Sequence, residues 1–438
     1  MIILRTVKNI SSLNIAASVL LFLAAILAAV VANSSLSPVY QDFLLQELHL
    51  RIGNFNLFSH GGHPLKMIEF INDCLMTVFF LAVGLEIKRE LLVGELSSVR
   101  KAALPFIAAC GGMVVPVVIY ALSVASGTPE TRGMAIPMAT DIAFSLGVLS
   151  LLGKRVPLSL KIFLTAFAVV DDIGGILVIA LFYSADVAYG YLIVAAILYV
   201  FLYYMGKFGV TQKIFFLFFG VIIWYLFLQS GIHSTISGVI LAFVIPARPR
   251  LDAGKYIERI RDIIGEFPVS KSDNIVLTNA QIATLKQVER ASDYVISPLQ
   301  SLEDNLHGAV SFVILPLFAF ANAGVVFSGS GSIVGDVSIA VAAGLLLGKF
   351  LGIYLFTWLA VKSGVALMPA GMNWKNIAGV SLLGGIGFTV SLFIANLSFA
   401  DEYPELLNQA KFGVLVGTVL AGVLGYVVLN WVLPEREK

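Results

Sequence analysis

Long apolar runs, separated by short polar segments, recur from one end of the sequence to the other. A helix of about 20 apolar residues crosses the hydrocarbon core of a bilayer, so the pattern predicts an all-α, polytopic membrane protein with twelve spans. The predicted spans are residues 12–32, 67–87, 102–125, 134–152, 158–183, 188–205, 213–229, 231–247, 308–327, 337–361, 376–399 and 412–432.

Composition agrees with this interpretation. The chain of 438 residues is 58% hydrophobic and 13% charged, whereas soluble domains carry about 25% charged residues. A net charge of +1 and the lack of a Gly-Lys-Ser/Thr phosphate loop argue against a nucleic acid or nucleotide partner. Both cysteines, Cys74 and Cys110, lie in apolar runs, which indicates neither a disulfide nor a metal site.

The orientation follows from the lysines and arginines outside the spans, because cytoplasmic loops carry an excess of both. With the N-terminus inside, the inner segments hold twenty-three basic residues, and the outer segments hold Arg51, Lys66, Arg132 and Lys411. Both termini are therefore expected in the cytoplasm. The first apolar run has no small-residue cleavage site that leads into a soluble domain, so we interpret it as a retained span.

Two polar segments interrupt what otherwise reads as a single transmembrane domain over residues 1–438. The outer loop 33–66 contains alternating apolar and polar residues around Gly53 and Asn54, which predicts a β-hairpin. The inner loop 248–306 is charged and has helical periodicity. We expect it to be a cytoplasmic regulatory or interaction segment.

Two adjacent acids, Asp171 and Asp172, stand in the middle of predicted span five. An ionisable group at this depth costs about 2.5–3.5 kcal/mol, so it marks a functional site by default. Neighbouring helical positions differ by about 100°, which lets both carboxylates border one cavity. Their repulsion favours a proton on one of them near neutral pH, and their hard oxygens suit Na⁺ or Li⁺. One site can thus hold protons or a cation.

Other polar residues at bilayer depth are candidates for the same site. Lys349, near the centre of span ten, is expected to be a counter-charge to the aspartates, with snorkelling as the alternative. In span four, Pro137 weakens the helix just before Thr140 and Asp141, which can satisfy the freed backbone groups or bind the ion.

Span eleven has a comparable weak point, formed by Gly384, Gly385 and Gly387. One interrupted helix in each half of a transporter points to a site between inverted repeats, whereas close helix packing is the competing explanation for the glycines. Asp73, nearer the outer end of span two, either lines a funnel through which ions reach the site or lies at a wetted helix end.

Several stretches, taken together and in order, resemble the NhaA family of bacterial Na⁺/H⁺ antiporters, from about residue 12 to residue 432. They are "ATDIAFSLGVLSLLG", "DDIGG", "SGIHSTISGV", "LPLFAFANAGV", "LLLGKFLGI" and "GGIGFTVSLF". The resemblance implies twelve helices in inverted repeats, the architecture for which this family is a known example, with spans four and eleven broken. It also implies an inner-membrane secondary transporter, without enzymatic activity or cofactor, that serves sodium and pH homeostasis.

By position, the resemblance makes Asp171 and Asp172 the carboxylates for the ion and the protons, and pairs Lys349 with Asp171. It places Thr140 and Asp141 where the two broken helices cross, with Asp141 facing the positive helix ends and Lys349 the negative ends. The resemblance also implies electrogenic transport, in which cytoplasmic Na⁺ or Li⁺ is exchanged for external H⁺ by alternating access. The outer hairpin would be the contact in a homodimer.

The resemblance also suggests a pH-response group, for which ordinary positive-inside helix ends and structural histidines are the alternatives. Its residues are Glu86, Lys88, Arg89, Glu90, His233, Glu303 and His307. Family members often have Glu-His where this chain has Glu303-Asp304, so the pH profile does not follow from the resemblance.

Three rival functions fit the sequence less well. A proton-coupled solute symporter would need a wider polar or aromatic pocket. An intramembrane aspartyl protease needs its two acids on different helices, with a Gly-x-Gly-Asp pattern around one of them, and here Asp171 and Asp172 are adjacent. A retinal-type pump could use Lys349, but the number of spans argues against it.

Overall fold

A computed structural model describes residues 2–52, 55–60, 63–183, 187–248, 253–267, 276–327, 332–400 and 402–434. This part of the chain is almost entirely helical. Eight of its helices are long and apolar enough to cross a membrane, two further pairs are bent by 45° and 44° at short breaks, and two shorter helices are also apolar. The all-α, polytopic membrane fold with two discontinuous helices is therefore confirmed, and the two shorter helices bring the apolar segments of the described residues to the predicted twelve.

The spans follow the predicted order. Span one is Ile15–Ala32, within the helix Ile2–Ala32, and spans two and three are Met67–Val93 and Val99–Ser123. Span four is the pair Pro129–Met138 and Ile142–Leu151, and spans five to eight are Leu158–Phe182, Tyr189–Lys207, Lys213–Leu228 and Thr235–Val244. Spans nine and ten are Pro298–Asn322 and Asp336–Lys362, span eleven is the pair Trp374–Leu383 and Phe388–Phe399, and span twelve is Pro404–Val432.

Several helices extend further than their apolar runs, among them those of spans nine and twelve. Span nine begins at Pro298, where the Ser297 hydroxyl caps the first turn by accepting a bond of 3.2 Å from the amide of Gln300. Span twelve begins at Pro404, so Lys411, which the sequence placed in an outer loop, lies within a helix. The apolar run marks only the part of a helix that faces hydrocarbon, which is why these starts were predicted too late.

The segments between the spans contain some regular structure. In the outer loop, Arg51–Ile52 pairs antiparallel with Phe55–Asn56, and Ser59–His60 pairs with His63–Pro64. The predicted turn residues Gly53 and Asn54 lie outside the described residues. A short helix, Ser37–Leu45, precedes these strands. The inner loop contains the helices Ala253–Gly265 and Asn279–Val295, which contact each other.

Glycines let the backbones of spans three and ten come into close contact. A Cβ atom added at Gly111 or at Gly352 would collide with the backbone of the other glycine. Further along span ten, Gly348 packs on Pro116 of span three, and Gly344 packs on Pro137 of span four. Small residues serve this purpose in membrane helices because lipid gives no hydrophobic drive for association, so close packing must hold the helices together.

Candidate functional site

The two broken spans cross at their breaks. The amide of Asp141 donates a hydrogen bond of 2.6 Å to the carbonyl of Ile386, and the hydroxyl of Thr140 donates one of 2.7 Å to the carbonyl of Gly384. The hydroxyl of Ser145 adds a bond of 3.0 Å to the carbonyl of Leu383. In the bilayer a free backbone polar group is costly, and here each break satisfies groups that the other break has exposed.

Asp141 lies at the start of both second half-helices. Its Oδ1 caps Ile142–Leu151 by accepting a bond of 3.0 Å from the amide of Phe144. Its Oδ2 accepts 2.6 Å and 3.2 Å bonds from the hydroxyl and amide of Thr389, at the start of Phe388–Phe399. A carboxylate between two helix N-termini offsets both positive dipole ends. Thr389 is a site residue that the sequence analysis missed, although it lies only two residues after Gly387.

Asp171 forms a buried ion pair with Lys349. Nζ of Lys349 lies 2.6 Å from Oδ2 of Asp171, and the two residues are 0% and 1% exposed. The ring of Phe167, one turn before Asp171, has its centre 5.8 Å from the same ammonium. At this depth neither charge has water as an alternative partner, so each depends on the other.

Asp172 is in a different situation although it is the adjacent residue. Its carboxylate makes no hydrogen bond or ion pair with any residue that the structure describes, and the residue is 8% exposed. It borders a cavity of about 310 Å³, together with Thr140, Asp141 and Thr389. The lining thus combines carboxylate and hydroxyl oxygens, which are ligands for a small hard cation. Among the described residues, no three carboxylate, histidine or cysteine side chains gather as they would around a resident metal.

The same cavity extends to a charged cluster near the end of span two and the start of span nine. Glu86, Arg89, Glu303 and His307 line it. Nε of Arg89 lies 2.9 Å from Oε1 of Glu303, and its Nη1 lies 2.7 Å from Oε1 of Glu90. Four of the seven residues suggested for pH response therefore share one space with Asp172.

The other three residues suggested for pH response do not line this cavity. Lys88 donates from Nζ to carbonyls at the end of span eight, among them that of Phe243 at 2.7 Å, and so caps that helix. Glu90 accepts a bond of 3.0 Å from the amide of Glu95. His233 lies in a separate polar cluster.

That second cluster surrounds Asp73. Nε2 of His233 is 3.3 Å from Oδ1 of Asp73, and Nδ1 of His233 is 2.8 Å from the hydroxyl of Thr235. Asp73 lies in a π-helical turn, Ile71–Leu75, of span two. Asp73 does not line the cavity that contains Asp172. Its neighbour Asn72 begins an amide chain through Asn322 to Asn396 of span eleven, with bonds of 2.8 Å and 2.9 Å.

Two broken helices that cross beside buried carboxylates, within a bundle of membrane spans, define the class of secondary ion transporters. The two broken spans also run in opposite directions through the bundle, because span four is even-numbered and span eleven odd-numbered. This is the arrangement that inverted repeats produce.

The chain belongs to the NhaA Na⁺/H⁺ antiporter family. The sequence profile of the family described as Na⁺/H⁺ antiporter 1 matches residues 8–429. The chain is 74% identical, over the full length of both proteins, to the Na⁺/H⁺ antiporter NhaA of Bacteroides thetaiotaomicron. It is 51% identical to that of Parabacteroides distasonis, over 100% of this chain and 98% of the relative.

Among solved structures, the chain is similar to the sodium proton antiporter MjNhaP1 from Methanocaldococcus jannaschii. The two share 13% identity with a TM-score of 0.49, over 99% of each chain. The family assignment rests on the sequence relatives.

Proposed function

We propose that the protein exchanges cytoplasmic Na⁺ or Li⁺ for external H⁺ at Asp171 and Asp172, with Thr140 and Asp141 completing the site. The observation that carries this proposal is the state of Asp172. A buried carboxylate without a protein partner needs a proton or a cation to neutralise it, and this one borders a cavity through which either can arrive. The relatives that are named Na⁺/H⁺ antiporters support the choice of Na⁺.

The excess of basic residues in the segments on this side supports a cytoplasmic location for the cavity. A separate outer cavity of about 800 Å³ is lined by Arg132, Met138, Tyr183 and Glu402, and neither aspartate borders it. The structure therefore supports an inward-facing state, closed towards the outside. In the proposed cycle, reorientation exposes the loaded site to the outer cavity, protons replace the ion, and the protonated site returns.

Coupling arises because ion and proton use the same oxygens. A bound cation lowers the proton affinity of the site, and a bound proton lowers the cation affinity by the same factor. Two carboxylates can carry two protons against one monovalent cation. Such an exchange moves net charge, so it responds to membrane voltage as well as to the pH difference.

Further roles rest on the same proposal. Glu86, Arg89, Glu303 and His307 would set the local field along the ion path and so shape the pH response. Asp73 would serve the access route from outside, with His233 as its neighbour. The outer hairpin would join two copies into a homodimer, in the inner membrane of the cell with both termini cytoplasmic.

Everted membrane vesicles test the proposal. We expect Na⁺ alone to collapse a preformed pH gradient, and Asp172→Asn to abolish this while folded protein is retained, because an amide cannot release a proton and binds Na⁺ weakly. Asp304→Asn is the matched control, since Asp304 lies on the same face of the membrane but does not line the cavity. Substantial Na⁺-driven proton movement in Asp172→Asn would refute the site, and a requirement for a second solute would favour a symporter.

A further inference from the structure

A second cavity opens on the basic face of the molecule and shares no residue with the ion path. Its volume is about 580 Å³. It lies between the start of span three, the start of span five and the segment 364–369, which connects spans ten and eleven. Segment 364–369 leads into the first half of the broken span eleven, and span five carries Asp171 and Asp172. The cavity therefore touches two elements that hold the ion site.

The polar part of the lining is cationic. Arg100 and Lys101, in the first turn of span three, both line the cavity and are exposed. Neither side chain forms an ion pair or hydrogen bond with a residue that the structure describes. One carboxylate, that of Glu95, also lines the cavity, which leaves an excess positive charge. The N-termini of spans three and five add partial positive charge at the same place.

The rest of the lining is apolar in two layers. Leu104, Phe163 and Ala366 are buried and belong to one hydrophobic core cluster, so they close the bottom of the cavity. Towards the outside, Val365 and Leu367 are 63% and 83% exposed. Exposed apolar side chains beside unpaired cations are matched by a molecule that has both an anionic group and hydrocarbon.

We propose that this cavity binds an anionic phospholipid. The phosphate lies at Arg100 and Lys101, and the acyl chains run over the rim formed by Val365 and Leu367. Charge complementarity selects an anionic over a zwitterionic headgroup, because two cations face a single carboxylate. Its location in the cytoplasmic leaflet rests on the orientation proposed above. Basic pockets between membrane helices on that side are suited to anionic headgroups.

Native mass spectrometry of the full-length protein tests this assignment without any transport measurement. Protein in detergent is titrated with phosphatidylglycerol or with phosphatidylcholine of the same acyl chains. We expect one phosphatidylglycerol to be retained in preference to phosphatidylcholine. In Arg100→Gln/Lys101→Gln the affinity for phosphatidylglycerol should fall by about tenfold to thirtyfold, because the losses from the two basic residues are similar in size and multiply.

Matched variants decide between a built site and diffuse surface charge. Lys154→Gln/Lys161→Gln removes two positive charges from the same face, from residues that do not line the cavity, and should retain the lipid. Equal losses in both double variants would overturn the proposal, as would equal retention of phosphatidylcholine. Displacement of the lipid by millimolar inorganic phosphate would show a simple anion site, which also contradicts it. Leu367→Asn should weaken lipid binding while leaving the charges intact. An unchanged affinity would contradict the proposed contact between Leu367 and the acyl chains.

Discussion

The ammonium of Lys349 and the carboxylate of Asp171 lie 2.6 Å apart, and neither side chain is exposed to solvent. Spans five and ten are thus joined by an ion pair whose members have no other charged partner of opposite sign within hydrogen-bond reach among the described residues. Asp172, the next residue along span five, faces the cavity instead. One of the two neighbouring carboxylates is held by the protein, and the other is left for the transported ion.

Removing the lysine should therefore destabilise the fold as well as alter exchange. Loss of one member of a buried pair leaves an uncompensated charge, which typically costs about 3–5 kcal/mol. We expect Lys349→Ala to lower the melting temperature in detergent and to shift the pH profile of exchange. If both stay at wild-type values, Lys349 is not the partner of Asp171 in the working protein.

The double variant Asp171→Asn/Lys349→Met separates charge from packing. It removes both charges and keeps similar volumes, so it should recover much of the stability that Lys349→Ala loses, because replacing a whole buried pair is often neutral. Exchange should remain impaired in this variant, since one proton carrier is missing. A double variant as unstable as Lys349→Ala would show that packing around the lysine, and not its charge, is what matters.

The bond from Thr389 to Asp141 should matter for ion affinity. Thr389→Val keeps the shape but removes the hydroxyl that lies 2.6 Å from Oδ2 of Asp141, a bond to a charged group worth about 1.5–3 kcal/mol. We expect a lower melting temperature and a higher apparent KM for Na⁺. Thr389→Ser retains a hydroxyl and should stay near wild type, and equal losses in the two variants would contradict a role for this hydrogen bond.

Competition between proton and cation should dominate the pH dependence of exchange. When a single proton competes, the apparent KM for Na⁺ rises up to tenfold for each pH unit below the pKa of the site, because the proton concentration rises tenfold. Each tenfold step corresponds to about 1.4 kcal/mol. Raising Na⁺ should then restore the rate at acid pH. A full Na⁺ titration at each of several pH values measures this.

A pH gate that is separate from the ion site would respond differently to added Na⁺. If Glu86, Arg89 and Glu303 switch the protein off in acid, saturating Na⁺ will not restore the rate. A maximal rate that collapses at acid pH with an unchanged KM would therefore overturn competition and make this charged cluster the pH sensor. Glu86→Gln is informative in either case, since Glu86 lines the cavity without being one of the two site aspartates.

The ion pair between Arg132 and Glu402 should help to keep the proposed outer side of the protein closed. Nη1 of Arg132 lies 2.9 Å from Oε2 of Glu402, and this contact connects the first half of span four to the loop after span eleven. We expect a cleavable cross-link between Arg132→Cys and Glu402→Cys to stop exchange and its cleavage to restore it. Cys74 and Cys110 are replaced by serine in the parent, and each single cysteine serves as a control. Full exchange in the cross-linked protein would show that these ends need not separate.

This pair should not contribute to pH regulation near neutrality. The hydrogen bond from Arg132 lowers the pKa of Glu402. A lowered folded-state pKa means that the interaction is complete above the usual glutamate pKa and is lost only as the pH falls through the lowered value. Because both side chains are exposed, its contribution is small. Glu402→Gln should therefore leave the pH profile unchanged between about pH 6 and pH 8, and a shift there would contradict this assignment.

The sequence predicted the spans well because a lipid-facing helix must be apolar over its whole length, and this pattern is local. The breaks were also predictable, since Pro137 and the glycines at 384, 385 and 387 weaken helices wherever they occur. Helix ends outside the hydrocarbon obey other rules. The early start of span nine depends on the Ser297 cap, and its charged first turns gave no apolar signal.

Relations between distant parts of the chain could not be predicted from local pattern. Nothing near Glu86 or Glu303 in the sequence indicates that they share a cavity with Asp172, because this follows from how spans two, five and nine pack. Likewise, Lys88 and His233 were grouped with Glu86 by resemblance, whereas the structure places them on a helix cap and beside Asp73. The contact of Thr389 with Asp141 joins residues that lie 248 positions apart.

The close approach of Gly111 and Gly352 has a consequence for how the molecule can move. The two backbones are in contact with no room for a side chain between them, which favours movement of spans three and ten as one rigid body. Lys349 lies one turn from Gly352, so its backbone belongs to the same pair of closely packed spans. A change in the relative position of spans five and ten would therefore alter the distance between Lys349 and Asp171, which now lie in one buried ion pair.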